Sequence, residues 1–207
     1  MMPAANILFK NWGVVLLAAG RSSRLGRPKQ LLPYKGKSLL RHSLQVACAT
    51  SAQTVVVVVG AAAAAVQQEG EGSRAQVVVN EAWQEGMAAS IRQGIRELLR
   101  IQPGAEGVIL MVCDQPFVTT ALLHDILKTH QQTGQLMVAS GYGNTAGPPV
   151  FFHQTLFSEL LQLQGDTGAR SLIRQHARDV EVVAFPEGHL DIDTEEDYQK
   201  LKGRNPL

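Results

Sequence analysis

The sequence predicts a three-layer α/β fold, a mostly parallel sheet with helices on both faces. Three observations predict it. Several short runs are apolar at every position and rich in Val and Leu, as strands buried on both faces are, because neither face meets water. Between them lie longer stretches whose apolar residues recur at helical spacing. The two kinds alternate through the first two thirds of the chain, the pattern of βαβ units, since parallel strands need a crossover. With 207 residues the chain can bury a sizeable core, and no internal repeat or low-complexity linker divides it, so residues 1–207 are read as a single domain.

Gly13 to Ala19 is the first apolar run. It breaks at Gly20 into a loop of small residues and cations, and Pro28-Lys29 leads back to apolar residues. Ser38 stands where an N-cap is expected, ahead of a helical face with Leu40, Leu44 and Ala47. Thr54 to Val59 carries five valines in a row, a second buried strand, and Ala61 to Ala65 starts a helix. Gln76 to Val79 is a third strand, ending at Asn80. Met87, Ile91, Ile95 and Leu98 share a helical face, which predicts a helix from about Met87 to Arg100, closed by Pro103-Gly104. Gly107 to Cys113 is a fourth strand, followed at once by Asp114. A helix from about Thr119 turns Leu122, Leu123, Ile126 and Leu127 inward, and Gln135 to Ser140 is a fifth strand. Gly141 to Pro149 holds three glycines and two prolines and reads as a loop over a site, with Val150 to Phe152 pairing at the sheet edge. Two short helices, a strand near Val180 to Ala184 and a terminal helix, Glu195 to Leu201, complete the body.

Hydrophobic residues make up 45% of the chain and the formal net charge is +1. That balance gives no global field for nucleic acid or an anionic membrane, so neither is an expected partner, and attraction for phosphate must be local. The longest apolar stretch, Val55 to Val66, is broken by Gly60 and is shorter than the ~20 residues of a membrane span. Met1 to Asn11 has no long apolar segment behind basic residues, so no targeting segment is read there. Cys48 and Cys113 form no C-x-x-C pair; they imply neither zinc site nor disulfide and fit a reduced cytoplasm. The six histidines form no H-x-x-x-H pair, and there is no G-x-S-x-G to support serine hydrolase chemistry.

Gly20, Gly60, Asn80 and Asp114 each follow a predicted strand. Open α/β sheets bind ligands beyond the carboxyl ends of their strands, so these residues are expected along one edge. The first such loop, with the strand end before it, reads Leu17-Ala18-Ala19-Gly20-Arg21-Ser22-Ser23-Arg24-Leu25-Gly26-Arg27-Pro28-Lys29. Its small side chains let backbone N–H groups approach an anion, and its four cations surround the same place, chemistry that suits a triphosphate. It is not a Walker A loop: the gap from Gly20 to Gly26 is one residue too long, and Lys29 neither follows a Gly nor precedes Ser or Thr. An ordinary turn with solvated cations stays open on the residues alone.

Asp114, directly after a strand, has two readings: a carboxylate for Mg²⁺, or a helix cap or turn residue. Asp191 and Asp193 alternate around Ile192 and as a strand would share a face. Asp193 or Thr194, ahead of Glu195, Glu196 and Asp197, equally suits a helix N-terminus. Ser90 lies near a helix start, where free N–H groups favour phosphate, or belongs to a plain N-terminal turn. Trp83 reads as a core or lid aromatic.

Taken together, these segments resemble the molybdenum cofactor cytidylyltransferases. Their sister group, the molybdenum cofactor guanylyltransferases, tends to carry Leu-Ala-Gly-Gly where Leu17-Ala18-Ala19-Gly20 stands here. Cys113-Asp114-Gln115-Pro116 resembles the family's metal-binding Asp-x-Pro, and Asp191-Ile192-Asp193-Thr194 its closing Asp-Ile-Asp-Thr. Asn80, Trp83, Gly86, Met87 and Ser90 match its segment beside the nucleotide, with Glu81 where Pro is usual. Gly147-Pro148-Pro149-Val150-Phe151-Phe152 and Gly165-Asp166-Thr167-Gly168-Ala169-Arg170 are similar to two elements on its acceptor side. The resemblance runs from Val14 to Tyr198, and the joint order of the elements is what is specific.

The resemblance implies a Rossmann-like nucleotidyltransferase fold and Mg²⁺-dependent transfer of CMP from CTP to the terminal phosphate of a molybdopterin-type acceptor, releasing pyrophosphate. Transfer from GTP, a sugar or polyol phosphate acceptor, and a non-catalytic carrier of the finished nucleotide are the alternatives. Asp114 and Asp193 would hold the metal, with Asp191 left open. Lys29, Arg24 and Asp114 would be catalytic, Lys29 balancing charge on the phosphates and Arg24 holding the leaving pyrophosphate. Leu17, Ala18, Ala19, Gly20, Arg21, Lys29, Asn80 and Ser90 would bind the nucleotide. Gly147, Asp166 and Arg170 would lie on the acceptor side, although Asp166 and Arg170 read equally as a helix cap and a surface ion pair. A molybdoenzyme or its chaperone is the partner implied. Ala19 favours CTP, again by resemblance.

Overall fold

The computed structural model describes residues 11–204; apart from Asn11, the segment Met1 to Asn11 lies outside them. The chain runs β1 (Trp12–Ala18), a small hairpin of β2 (Pro33–Tyr34) and β3 (Lys37–Ser38), α1 (Leu39–Cys48), β4 (Thr54–Val59), α2 (Ala63–Gln68) and β5 (Gln76–Val79). It continues through α3 (Met87–Ile101), β6 (Gly107–Val112), α4 (Thr120–Thr133), β7 (Met137–Tyr142), β8 (Thr145–His153), α5 (Phe157–Gln162), α6 (Ala169–Gln175), β9 (Val180–Ala184) and α7 (Glu195–Arg204).

Seven strands form one sheet in the order β5-β4-β1-β6-β8-β7-β9, parallel except for β8. Strand periodicity sorts the side chains into two layers. Val14, Leu16, Val55, Val57, Ile109 and Met111 pack with residues of α1 and α4. Val15, Val56, Val58, Val108 and Leu110 pack with residues of α3, α5 and α6. Both faces of the central strands are therefore buried, which is why they read as unbroken apolar runs. Ser38 caps α1 by accepting from Arg41 N at 3.0 Å, and Thr119 caps α4 by accepting from Leu122 N at 3.2 Å.

A third, smaller core positions the site. Leu32, Tyr34 and Leu39 bury against Ile192, Tyr198 and Leu201. Tyr198 Oη also donates to Pro33 O at 2.9 Å. The exit of the first loop is thereby fixed to the C-terminal segment that carries Asp193.

Four expectations need correction. Gly141 to Pro149 is no open loop: β7 and β8 make a hairpin whose turn opens on Gly143, at φ 55°. Glycine there suits a tight hairpin turn. The register steps from Ala139↔Val150 to Ser140↔Gly147, so Pro148 and Pro149 fall outside the ladder they cannot serve. Val150 to Phe152 is not at the sheet edge but buried in its interior, between β6 and β7. Met87 leaves the core face expected of it: it is 45% exposed, at the mouth of a cleft. The segment around Asp191 and Asp193 is not a sheet strand either; it runs along the end of β6, with Ile192 N donating to Asp114 O at 3.1 Å.

Candidate active site

Because β1, β4, β5 and β6 are parallel, the residues that follow them, Gly20, Gly60, Asn80 and Asp114, reach the same edge of the sheet. Two clefts open there. One, of about 360 Å³, is lined by Leu17, Ala18, Ala19, Gly20 and Arg21 from β1 and its loop, and by Trp83 and Ser90. The other, of about 800 Å³, is lined by Tyr142, Arg170, Arg174, Asp191 and Asp193 among others. Lys29, Met87, Val112, Asp114 and Asp166 line both, so the clefts meet across them.

The first loop is held from beneath. Gln30 is buried, and its Nε2 donates to Ala18 O at 2.8 Å and Gly20 O at 2.9 Å. Lys29 N donates to Ser22 Oγ at 3.0 Å, and Ser22 itself takes a φ of 56°. Across the cleft, Gly60 lets Trp83 and Ala19 close in: a Cβ there would stand 2.7 Å from Trp83 Cβ and 2.9 Å from Ala19 Cβ. The Ala19 methyl is thus fixed at the wall of the smaller cleft. Asn80 lies behind that wall rather than on it. It is buried, donates to Ser90 Oγ at 3.0 Å and accepts from Ala82 N at 3.1 Å, so it orients the start of α3.

At the junction, Lys29 Nζ donates to Asp114 Oδ2 at 2.5 Å and to Asp193 Oδ1 at 2.8 Å. Arg24 Nη2 meets the other oxygen of Asp193 at 2.7 Å and lines the larger cleft. The capping roles open to the two carboxylates fall to neighbours, while Asp114 does sit in the turn that follows β6. Thr119 caps α4, so Asp114 does not. Thr194 and Asp197 cap α7 reciprocally, Thr194 N donating to Asp197 Oδ2 at 2.9 Å and Asp197 N to Thr194 Oγ1 at 3.2 Å. Asp193 is left facing Lys29.

The electrostatics follow from this packing. Burial works to lower the pKa of Lys29, but the charge and hydrogen bond of Asp114, and then Asp193, raise it on balance, so it stays an ammonium. Burial pushes Asp193 upward, yet hydrogen bonding and charge from Lys29, with Arg24, hold it below the usual carboxylate range. Asp191 is pushed up to about 6, by burial first and by the charge of Asp114 second.

Asp114 Oδ1 and Asp191 Oδ1 are buried without a hydrogen-bond partner. Orphaned carboxylate oxygens beside Asp193 are hard donors of the kind Mg²⁺ or Mn²⁺ takes. Among the described residues no group of three or more His, Cys, Asp or Glu side chains could hold a metal ion. A pair of carboxylates fits an ion that completes its shell with substrate phosphates.

In the larger cleft, Arg170 Nη2 donates to Tyr142 Oη at 2.9 Å, and its guanidinium lies 5.7 Å from the Tyr142 ring centroid. Gly147 sits behind this pair: a Cβ there would run into Tyr142 Oη and lie 3.0 Å from Arg170 Nε. Asp166 neither caps a helix nor pairs with Arg170; it approaches Gly86, whose φ of 104° and lack of a Cβ admit the 165–166 turn. Gln30, Tyr142, Arg174 and the bond from buried Gln115 Nε2 to Gly188 O at 3.0 Å were not anticipated as parts of the site. The one signal in the sequence was a glutamine set between Lys29 and the apolar Leu31-Leu32.

Residues 14–180 match the family described as the MobA-like NTP transferase domain, and the chain belongs to that family of nucleotidyltransferases. A crystal structure of Rv0371c from Mycobacterium tuberculosis H37Rv is 36% identical, covers 93% of this chain and 97% of its own, and superposes with a TM-score of 0.79. The same protein in complex with manganese is 34% identical, with 92% and 97% covered and a TM-score of 0.76. Among curated relatives, the nicotine blue oxidoreductase of Paenarthrobacter nicotinovorans is 30% identical over 90% of this chain and 94% of its own. A probable molybdenum cofactor guanylyltransferase of Nostoc sp. is 25% identical over 93% of this chain and 91% of its own.

Proposed function

We propose that this protein transfers CMP from CTP to the terminal phosphate of a molybdopterin-type acceptor, with Mg²⁺, and releases pyrophosphate. One observation carries the reading: two clefts of different chemistry meet at Lys29 and Asp114. Transfer between two substrates needs each to be held on its own side with the reacting atoms at a shared junction.

The acceptor is its own nucleophile. A phosphate monoester has a second pKa of about 6, so near neutral pH it is mostly dianionic and needs no general base. What opposes reaction is the approach of one anion to another. Asp114 and Asp193 would hold Mg²⁺, which neutralises and orients phosphates when bound. Lys29 would meet the charge building on the phosphates from the junction, and Arg24 the leaving group from the rim. The 17–21 backbone, fixed by Gln30, would hold the triphosphate, with Arg21 beside it and Ser90, oriented by Asn80, at the start of α3. Arg170, steadied by Tyr142, and Arg174 would receive the anionic acceptor, with Asp166 and Gly147 shaping that cleft. Positioning and electrostatics would supply most of the rate.

CTP is favoured by the resemblance at Ala19, which stands where the guanylyltransferases tend to carry Gly and lines the smaller cleft. GTP is the second reading, since one relative is named a guanylyltransferase. We further propose that the chain works as one domain, 1–207, in the cytoplasm, and hands its product to a molybdoenzyme or its chaperone. Among the described residues no helix is long and apolar enough to cross a membrane. The test is pyrophosphate release in the presence of Mg²⁺ and molybdopterin. Release with CTP alone supports the proposal, and release with GTP alone moves the protein to guanylyl transfer. Silence with both, the acceptor being intact, leaves a different acceptor or a carrier.

A further inference from the structure

Lys29 is tethered at its base by the loop, and its tip is held by two carboxylates. Its backbone N–H is bound to Ser22 Oγ and the next residue, Gln30, is buried and bonded twice to the loop. The four-carbon stem beyond is flexible, and it lines both clefts. Its ammonium lies between Asp114 Oδ2 and Asp193 Oδ1, at 2.5 and 2.8 Å. These are the two carboxylates assigned to the divalent ion. An Mg²⁺ stands about 2.0–2.1 Å from its oxygens, so it needs the space the ammonium fills, and like charge sets the two against each other. No third His, Cys, Asp or Glu completes a metal site among the described residues, so the pair alone is a weak rival for the lysine.

We propose that Lys29 and the divalent ion compete for Asp114 and Asp193, so that the ion enters with the triphosphate and not ahead of it. The inference rests on the nucleotidyl-transfer reading of the site. The triphosphate draws the Lys29 ammonium onto its phosphates as the ion takes the place between the carboxylates. Charge stays matched throughout. Before the exchange the two carboxylates face Lys29 and Arg24. After it they face the divalent ion, while the ammonium meets the negative charge the triphosphate has brought. No proton moves, because lysine is an ammonium in both positions. Lys29 thus opposes binding of the metal alone and favours metal and nucleotide together, a positive coupling between two ligands. The same residue guards the carboxylates and delivers positive charge to the phosphates.

The test is Mn²⁺ binding, followed by the electron paramagnetic resonance of the free ion, for the wild-type protein and Lys29→Met. Each is measured with and without a CTP analogue carrying an α,β-methylene bridge. Without nucleotide, Lys29→Met is expected to bind Mn²⁺ about tenfold tighter than wild type. Adding the analogue should tighten Mn²⁺ binding in wild type about tenfold and by clearly less in the variant. Equal or weaker Mn²⁺ binding by Lys29→Met alone overturns the competition. Asp114→Asn, made in both backgrounds, separates the two levels of inference. Its loss of Mn²⁺ binding supports the site, whereas retained binding means that the metal assignment itself has failed. Where Lys29→Met folds poorly, melting temperature against Mn²⁺ carries the same question. The variant should gain more from the ion than wild type does, and equal gains contradict the proposal.

Discussion

The two clefts that meet at Lys29 are built from different materials. The smaller is walled by the end of β1, by the backbone of the first loop and by small side chains, and the buried amide of Gln30 fixes it. The larger is walled by charged and aromatic side chains from β7, α6 and the segment before α7, distant in sequence from one another. Backbone surfaces recognise what all nucleotides share, which is phosphate. Side chains on separate elements can change one at a time, so the larger cleft is where acceptor choice would be written.

The largest effect is expected where the two sides join. Asp114→Asn should lower turnover about 10³-fold, since metal-assisted charge stabilisation is worth several kcal/mol and each 1.36 kcal/mol is tenfold. Pyrophosphate release measures it, and a near-normal melting curve would show that the fold survives. A change confined to the KM of one substrate would break the idea of a shared junction.

Next comes the side-chain cleft. Arg170→Ala removes a cation and its bond to Tyr142. Loss of a charged hydrogen bond to the acceptor costs about 1.5–3 kcal/mol, so the acceptor KM should rise about 10- to 100-fold while that of the triphosphate stays put. Steady-state kinetics varying each substrate in turn decide it.

Gln30→Met probes the backbone cleft in the opposite sense. It leaves Ala18 O and Gly20 O without their amide donor, and should cost about 1–3 kcal/mol of stability in urea unfolding. The triphosphate KM should rise and the acceptor KM should not. If both move equally, the two walls are not independent.

The smallest effect is expected at Arg27, a cation of the same loop that lines neither cleft. It pairs with Glu195 at 2.7 Å, both side chains about half exposed. Such a solvent-screened pair contributes little, so Arg27→Ala should leave both KM values unchanged and barely shift the melting temperature.

This division also explains what the sequence made legible. Buried parallel strands announce themselves by unbroken apolar runs, and Thr54–Val59 and Gln76–Val79 lie where the pattern places them. The first loop and Asp114 are contiguous with strands, so their place on the sheet edge follows from local order. The β7–β8 hairpin hides behind a loop-like composition, since Gly and Pro usually mark loops, whereas here the ladder steps past Pro148 and Pro149. Tyr142, Arg174 and Gln115 carry no local signal; only the tertiary fold brings them beside Asp191. Asp193 was ambiguous for a definite reason. Five polar residues in a row, Asp193 to Asp197, stand at the start of α7, and only the reciprocal bonds of Thr194 and Asp197 show which ones cap it.

The proposed function requires a nucleotidyl group to cross the junction from the smaller cleft to the larger. CTP labelled at the α-phosphate, incubated with molybdopterin, Mg²⁺ and the protein, follows that crossing. The predicted result is label on the pterin, in one-to-one proportion with unlabelled pyrophosphate. Label that stays in CTP, with the acceptor shown intact and GTP equally unreactive, would contradict it.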